Sequence, residues 1–154
     1  MSKITTFLTY QDQAEEAAQL YVSLFPDSAI THITRYAIDG PQSAGRVMTV
    51  EFHLAGTPYV ALNGGPYFSF SEGISLAVAC QDQAEIDRLW LALTADGGQP
   101  GNCGWLKDRF GVSWQLTPAN MGELMRGNSP EQAQRRLHAM MQMHKIDVAA
   151  LERA

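Results

Sequence analysis

The chain has 154 residues, 45% of them hydrophobic and 18% charged, which is typical of one globular domain rather than a disordered chain. Its formal net charge of −5 opposes contact with a nucleic-acid backbone, because such contact needs clustered cations. No run reaches the roughly 20 apolar residues of a membrane span and the start lacks a signal-peptide pattern, so we expect a cytoplasmic protein without membrane or nucleic-acid partners.

A repeated pentapeptide divides the chain into two similar parts. The sequence Gln-Asp-Gln-Ala-Glu stands at residues 11–15 and again at residues 81–85. Each copy follows a short β-type run, at residues 4–10 or 74–80, and precedes apolar residues spaced three and four apart. Each part is therefore predicted to begin with a strand followed by a helix.

The residues around each pentapeptide predict how the helices begin and what they cover. We expect the aspartate of each copy, Asp12 or Asp82, to cap its helix, with a glutamate three residues later. The apolar stripe of each helix must be buried against a sheet. Runs that can form this sheet lie at residues 29–38, 47–54, 57–63, 103–107 and 112–117, with turns at 39–41, 55–56 and 108–111.

Beyond residue 118 the pattern becomes helical. A short helix is predicted around residues 121–125, and a longer one begins at Ser129 and Pro130, since serine is a preferred cap and proline is tolerated at the first helical position. Asp147 is predicted to cap a last turn. The longer helix has a stripe that we expect to pack on its own domain or on a second subunit: Ala133, Leu137, Met140, Met141 and His144.

These elements predict an α+β fold in a single domain. Tandem β-α-β-β-β modules form a cup-shaped, eight-stranded mixed sheet, and C-terminal helices follow. Module one covers about residues 1–68, module two about residues 69–118 and the helical tail about residues 119–154. If the helices cover one face of the sheet, the other face forms a cup, a concave place of the kind that binds ligands.

Side-chain alternation along the strands selects the residues of this cup. Glu51 and His53 share the polar side of one strand, two residues apart, which suits an acid-base pair or a pair of metal ligands. The alternative is a polar face that meets solvent or a partner subunit. The residues predicted to bind substrate in the cup are Thr5, Asn63, Ser75 and Gln115, with Thr9 beside them.

The remaining reactive side chains give weaker signals. Cys80 and Cys103 are too few for a disulfide framework, so we expect both to be reduced structural residues. The alternative for Cys103 is a thiol nucleophile in its glycine-rich stretch. Three histidines stand alone in the sequence and are predicted to be structural or solvated: His32, His138 and His144.

Several stretches carry a family resemblance. They are VEFHL at residues 50–54, ALNGGP at 61–66, CGWLKDRFGVSWQ at 103–115 and MMQMHKID at 140–147. They resemble the PhnB-like group of the vicinal-oxygen-chelate superfamily, a group often labelled as the 3-demethylubiquinone-9 3-methyltransferase domain. The resemblance implies the glyoxalase-like fold, a small-molecule ligand and a homodimer, with the tail helix as part of the dimer interface.

The resemblance also implies where a metal would lie. Enzymes of the superfamily bind a divalent metal through His, Gln or Glu of the first and last strands of each module. The matching positions in this chain are Thr5 or Thr6, Ala61 or Asn63, Ser75, and Gln115. Only Gln115 is a suitable ligand, so a divalent metal is possible but not expected, unless Glu51 and His53 build a site from other positions.

Two functions follow from the resemblance. The first is a non-catalytic module that binds a small polar metabolite in the cup, similar to the superfamily's bleomycin-resistance proteins. The second is a metal-dependent lyase, isomerase or dioxygenase-type enzyme that uses Glu51 and His53. The methyltransferase label has no counterpart in the residues, because the turn Gly64-Gly65-Pro66 is not the G-x-G turn of a typical S-adenosylmethionine site.

Overall fold

The computed structural model describes residues 2–38 and 45–154, and the turn predicted at residues 39–41 lies outside them. The chain divides into two units, Met1–Phe70 and Ser71–Ala154. This boundary lies close to the predicted end of module one. Each unit contains one copy of the repeated pentapeptide, so the sequence repeat corresponds to a structural repeat.

Unit 1 consists of a four-stranded sheet and one helix. Its elements are β1 (Thr6–Tyr10), α1 (Ala14–Leu24), β2 (Ala29–Arg35), β3 (Val47–Leu54) and β4 (Thr57–Asn63). The strand order is β1-β4-β3-β2, with β1 parallel to β4 and the other neighbours antiparallel. The bounds of β3 and β4 match the predicted runs, whereas β1 and β2 are shorter than predicted.

The apolar stripe predicted for α1 forms the core of unit 1. Ala17, Ala18 and Tyr21 are fully buried, and the helix packs on β3 and β4. In β3, the ring of Phe52 stacks on that of Tyr59 in β4, with centroids 5.5 Å apart. The small alanines let the helix approach the sheet, and the rings fill the space that remains. Burying one such ring stabilises the fold by about 2 kcal/mol.

Unit 2 repeats this arrangement before the tail begins. Its module contains β5 (Leu76–Cys80), α2 (Gln83–Thr94), β6 (Gln99–Pro100), β7 (Trp105–Lys107) and β8 (Ser113–Pro118). The strand order is β5-β8-β7-β6, with β5 parallel to β8 and the others antiparallel. β6 is not among the predicted strands, because a two-residue strand that contains proline has no β pattern.

The tail consists of three helices, α3 (Met121–Arg126), α4 (Pro130–Met141) and α5 (Val148–Arg153). The predicted caps of α2, α4 and α5 are confirmed. In each, the side chain accepts a hydrogen bond from a backbone N–H of the first turn: Asp82 from Glu85, Ser129 from Gln132 and Asp147 from Ala150. The tail helices therefore begin where the sequence predicts.

The tail has its own buried cluster, which consists of Leu124, Ile146 and Leu151. Met140 and Met143 are partly buried and pack against it. Part of the methionine-rich stripe therefore packs on its own unit, as expected. Leu137 and Met141 remain exposed on α4.

The segment between α4 and α5 is hydrogen-bonded to the module of unit 2. The backbone N–H of Cys103 donates to the carbonyl of Met143 at 2.8 Å. The side chain of Gln83, the first residue of α2, donates to Ile146 O and accepts from Val148 N, both at 2.9 Å. Gln83 belongs to the repeated pentapeptide, so in unit 2 the repeat also anchors the tail.

The stretch CGWLKDRFGVSWQ folds around a buried carboxylate. Asp108 is 3% exposed and accepts hydrogen bonds from Phe110 N, Val112 N and Trp114 Nε1 at 2.9, 3.0 and 2.9 Å. Bonds to an ionised acceptor are stronger than neutral ones, so they hold the turn between β7 and β8 closed. Asp108 therefore has a structural role in this stretch.

The α+β class, the two β-α-β-β-β modules and the C-terminal helices are confirmed. The eight strands form two four-stranded sheets, one in each unit, where we predicted one eight-stranded sheet. In both units the first strand is an edge strand of its own sheet, and the sequence pattern of a strand does not specify what pairs with its edge. Within residues 2–38 and 45–154, no helix has the length and hydropathy of a membrane span.

Candidate functional site

Strand pairing in unit 1 places the predicted site residues on different faces of the sheet. Val50 of β3 is paired with Ala61 of β4, and paired side chains point to the same side. Asn63 therefore lies on the side of Val50, towards α1, whereas Glu51 and His53 point to the opposite side. The prediction that Asn63 shares their face is wrong. Alternation gives the two faces of a strand but not how they match the next strand.

A glutamate and two histidines lie on the face opposite α1. Glu51 and His53 are exposed and stand two residues apart on β3. His32 of β2 is paired with Glu51 across the sheet and is exposed as well. Sequence reasoning missed His32 because it stands alone in the chain, and only the antiparallel pairing of β2 with β3 brings it beside Glu51.

Asn63 has a structural role at the start of α1. Its Oδ1 accepts a hydrogen bond from Ala14 N at 2.8 Å, and its Nδ2 donates to Val47 O at 3.0 Å. The predicted cap of this helix is wrong, since the cap residue is Gln13, not Asp12, and no side-chain cap bond forms there. Asn63, which is distant in sequence, satisfies the helix N-terminus instead.

A cavity of about 420 Å³ lies in unit 1 where β1 and β4 end and α1 begins. In open sheets with parallel strands, ligands commonly bind in the crevice outside the carboxyl ends of the strands. The sequence does not predict this cavity, because residues that follow β1, β2 and β4 meet there with residues at the start of β3 only after folding. Its polar lining includes Asp12, Glu15, Tyr36, Arg46 and Asn63.

In unit 2 the structure brings Ser75 and Gln115 together. Gln115 Nε2 donates to Ser75 Oγ at 2.8 Å. Both lie on the sheet face opposite the buried Trp114, because Ala77 is the strand partner of Gln115. Two of the four predicted substrate-binding residues are therefore in contact, in the register that the repeat predicts.

Trp105 of β7 is the strand partner of Gln115, so its side chain lies on the same sheet face. Trp105 also lines a groove of about 160 Å³. Lys107 and Glu72 line the groove and form an ion pair. The hydrogen bond from the Lys107 ammonium lowers the pKa of the Glu72 carboxyl. The groove therefore combines an aromatic surface with an exposed ion pair.

The two predicted threonines of β1 have different positions. Thr5 precedes β1 and is exposed, so it lies just outside the hydrogen-bonded strand. Thr9 is half-buried in β1. Its neighbours Leu8 and Tyr10 are buried, so the predicted alternation of this strand is confirmed for Thr9.

The donor set does not fit the divalent metal that the superfamily resemblance implies. In the part of the chain that the structure describes, no three His, Cys, Asp or Glu side chains are grouped so that they could hold a metal ion. Glu51, His53 and His32 share a face without forming such a group. No chemical step is therefore assigned to a metal.

The two cysteines have different surroundings. Cys80 is fully buried, and burial raises the pKa of its thiol to about 12, so the reactive thiolate does not form at neutral pH. Cys103 is half-buried at a positive φ of 57°, where its N–H holds the tail. This position supports the structural interpretation of both residues.

A family model described as 3-demethylubiquinone-9 3-methyltransferase matches residues 2–117. The chain belongs to the 3-demethylubiquinone-9 3-methyltransferase family. The match includes both modules and ends before α3. The resemblance noted at residues 140–147 therefore lies outside the matched region.

Solved structures of PhnB-like and related proteins agree with this family. A PhnB protein of Bacillus cereus, described with the same methyltransferase name, is 39% identical with a TM-score of 0.70, over 77% of this chain and 100% of that chain. Protein PA1353 of Pseudomonas aeruginosa is 22% identical with a TM-score of 0.57, over 77% and 98%. The fosfomycin resistance protein FosX of Listeria monocytogenes is 14% identical with a TM-score of 0.53, over 80% and 97%. The comparison with curated proteins gives no match.

These comparisons confirm the predicted group. The family member from Bacillus cereus is a PhnB protein, and FosX shares the fold at low identity. The chain is thus a PhnB-like member of the vicinal-oxygen-chelate superfamily.

Proposed function

We propose that this PhnB-like protein binds a small polar metabolite on the sheet faces opposite its module helices, without a transition metal. The observation that carries the proposal is the 2.8 Å hydrogen bond from Gln115 Nε2 to Ser75 Oγ. It fixes the direction of an amide, whose carbonyl oxygen has no other partner among the described residues. Ligand sites use a few such fixed polar groups to orient their ligand.

The neighbouring groove indicates the chemistry of the ligand. Trp105 is 37% exposed and offers a flat apolar surface. Lys107, although paired with Glu72, still has ammonium N–H groups to donate, and Gln115 offers an amide that donates and accepts. A ligand with a flat apolar part and a hydroxyl or carboxylate group fits these neighbours.

Glu51 and His53 form a separate candidate site, on the sheet of unit 1. Both are exposed on the sheet of unit 1, and the paired His32 adds a third polar group. The Glu51 carboxylate accepts hydrogen bonds from a polar ligand, and the imidazoles donate or accept them. Each sheet face is tested by its own variants.

The alternative functions have weaker support. A metal-dependent lyase, isomerase or dioxygenase needs a donor set that the described residues do not group. A typical S-adenosylmethionine-dependent methyltransferase binds its cofactor at a glycine-rich turn between a parallel strand and a helix. In this chain each sheet has one parallel pair, and residues 64–66 lead into no helix. The family name alone does not establish that activity.

We also propose that the protein forms a homodimer, as the resemblance implies. Leu137 and Met141 of α4 are 47% and 61% exposed. They are the part of the predicted stripe that the tail's own cluster leaves uncovered. A second copy is the proposed cover for these two side chains.

The binding proposal is tested with a defined library of small polar metabolites and ligand-observed NMR on the full chain. We expect at least one saturable ligand for the wild-type protein. Because Gln115→Ala and Ser75→Ala each remove one side of the fixed amide contact, the dissociation constant should rise about tenfold in either variant. Gln134→Ala on the exposed surface of α4 is the matched control and should bind like the wild type.

Glu51→Gln and His53→Ala test the unit 1 face separately, with every library member that binds the wild-type protein. Weakened binding in these two variants supports a site on that face. Unchanged binding of every ligand in all four variants would contradict both candidate sites, and a library without any ligand would contradict the proposed function.

A further inference from the structure

The cavity at the ends of β1 and β4 is independent of the proposed metabolite site. It lies within unit 1 and has a volume of about 420 Å³, within the range of about 300–1,000 Å³ for small-molecule pockets. Neither Glu51 nor His53 lines it, and Ser75 and Gln115 belong to the other unit. Its function must therefore follow from its own lining residues.

In unit 2 the two carboxylates of the repeated pentapeptide cap a helix, a role that their counterparts in this cavity do not have. In unit 2, Asp82 accepts a hydrogen bond from Glu85 N at 2.9 Å, and Glu85 Oε2 accepts one from Gln81 N at 2.7 Å. Both carboxylates are thus engaged in capping α2. This is the ordinary structural use of the sequence Gln-Asp-Gln-Ala-Glu at the start of a helix.

In unit 1 the carboxylates of the same pentapeptide cap no helix and have no partner among the described residues. Asn63 caps the helix through its bond to Ala14 N, and Gln13 rather than Asp12 occupies the cap position. Neither Asp12 nor Glu15 forms a side-chain hydrogen bond or ion pair with another described residue. Both side chains line the cavity.

A cation and two neutral polar groups complete the cavity. Arg46 also lines the cavity, and its charge is opposite to that of the two carboxylates. Its guanidinium forms no ion pair with another described residue. Tyr36 N donates to Arg46 O at 2.9 Å, and Tyr36 OH donates to Asn63 O at 2.6 Å. These bonds fix the wall beside Arg46.

We propose that this cavity binds a small dibasic amino acid, a molecule with two cationic amines and one carboxylate. The two amines pair with Asp12 and Glu15, and the carboxylate pairs with Arg46. The ligand then matches two anionic and one cationic side chain group for group. A ligand without one of these groups leaves a charged side chain unpaired, which lowers its affinity.

L-Lysine is the probe, measured by titration calorimetry with the full chain. We expect saturable binding with a dissociation constant of about 1 mM or below. Cadaverine lacks the carboxylate and L-norleucine lacks the second amine, and each should bind about tenfold more weakly or worse. Asp12→Asn and Arg46→Gln should each weaken the binding of L-lysine about tenfold.

Asp82→Asn is the matched control, because it makes the same change in the same pentapeptide of unit 2. It should bind L-lysine like the wild type. The proposal is overturned if L-lysine does not bind saturably, if cadaverine or L-norleucine binds equally well, or if Asp12→Asn and Arg46→Gln bind like the control. None of these outcomes bears on the Gln115 site, whose variants are separate.

Discussion

Burial decides which of the two thiols can react. Cys80 lies at the end of β5 with no exposed surface, and desolvation raises the pKa of its thiol to about 12. The thiolate, not the thiol, attacks electrophiles. At pH 8 the thiolate fraction of Cys80 is therefore negligible while the protein is folded.

Thiol labelling with a chromogenic disulfide at pH 8 checks this difference. We expect the native protein to react at Cys103 alone, and Cys103→Ser to remove the reaction. In denaturant, Cys103→Ser should gain one reactive thiol, because unfolding exposes Cys80. Rapid labelling of native Cys103→Ser would show that Cys80 is accessible.

The residue contacts that the sequence predicts are those that local alternation fixes. Glu51 and His53 share a strand, so alternation alone places them on one face. For Ser75 and Gln115, alternation and the repeat register predict the face, and the pairing of β5 with β8 brings the two side chains into contact. Asn63 and His32 depend on which residues face each other across two strands. That match comes from tertiary pairing, which alternation does not encode.

At the scale of elements, the two repeat helices begin differently although the pentapeptide at both starts is identical. α2 has a side-chain cap from Asp82, whereas the first N–H of α1 bonds to Asn63. A helix terminus needs some acceptor for its free N–H groups, and the supplier can be local or distant. An identical local sequence therefore does not ensure an identical cap.

Alanine substitution measures this difference. Asp82→Ala should lower the free energy of unfolding by about 1 kcal/mol, because it removes a side-chain cap. Asp12→Ala should change it by less than about 0.5 kcal/mol, because Asp12 caps nothing. Urea unfolding monitored by circular dichroism gives both values, and equal losses would show that Asp12 has a capping role.

Element prediction succeeds where sequence signals are long or carry a cap. The runs of β3 and β4 are long and bounded by turn residues, and the caps of α4 and α5 are the standard Ser and Asp signals. β6 has only two residues, and its pairing with β7 exists because the tertiary fold brings them together. No local sequence pattern predicts such a strand.

At the scale of the whole molecule, each unit has its own sheet, and only unit 2 has a tail. The class, the modules and the tail follow from the repeat and from the helix signals. The division into two sheets does not, because strand edges pair through tertiary contacts. The tail is integral to unit 2, since Ile146 is fully buried and the side chain of Gln83 is hydrogen-bonded to Ile146 O and Val148 N.

Ile146→Ala tests how far the tail supports each unit. Removing its buried side chain should cost about 3 kcal/mol, because it leaves a cavity in the tail cluster. Amide hydrogen exchange measured by NMR should speed up in unit 2 and stay unchanged in unit 1. Leu91→Ala, at a side chain that is 75% exposed, is the control and should change neither. Faster exchange throughout the chain would show that the two units unfold together.

Because Leu151 is buried and lies near the C-terminus, unit 2 completes its core later than unit 1 during synthesis on the ribosome. Unit 1 draws every strand and its helix from residues before 71, so its sheet can assemble as soon as that stretch has emerged. Unit 2 lacks part of its interior until Leu151 has emerged too. During synthesis, a folded first half thus precedes an unfinished second half whose apolar surface stays uncovered until those late residues arrive.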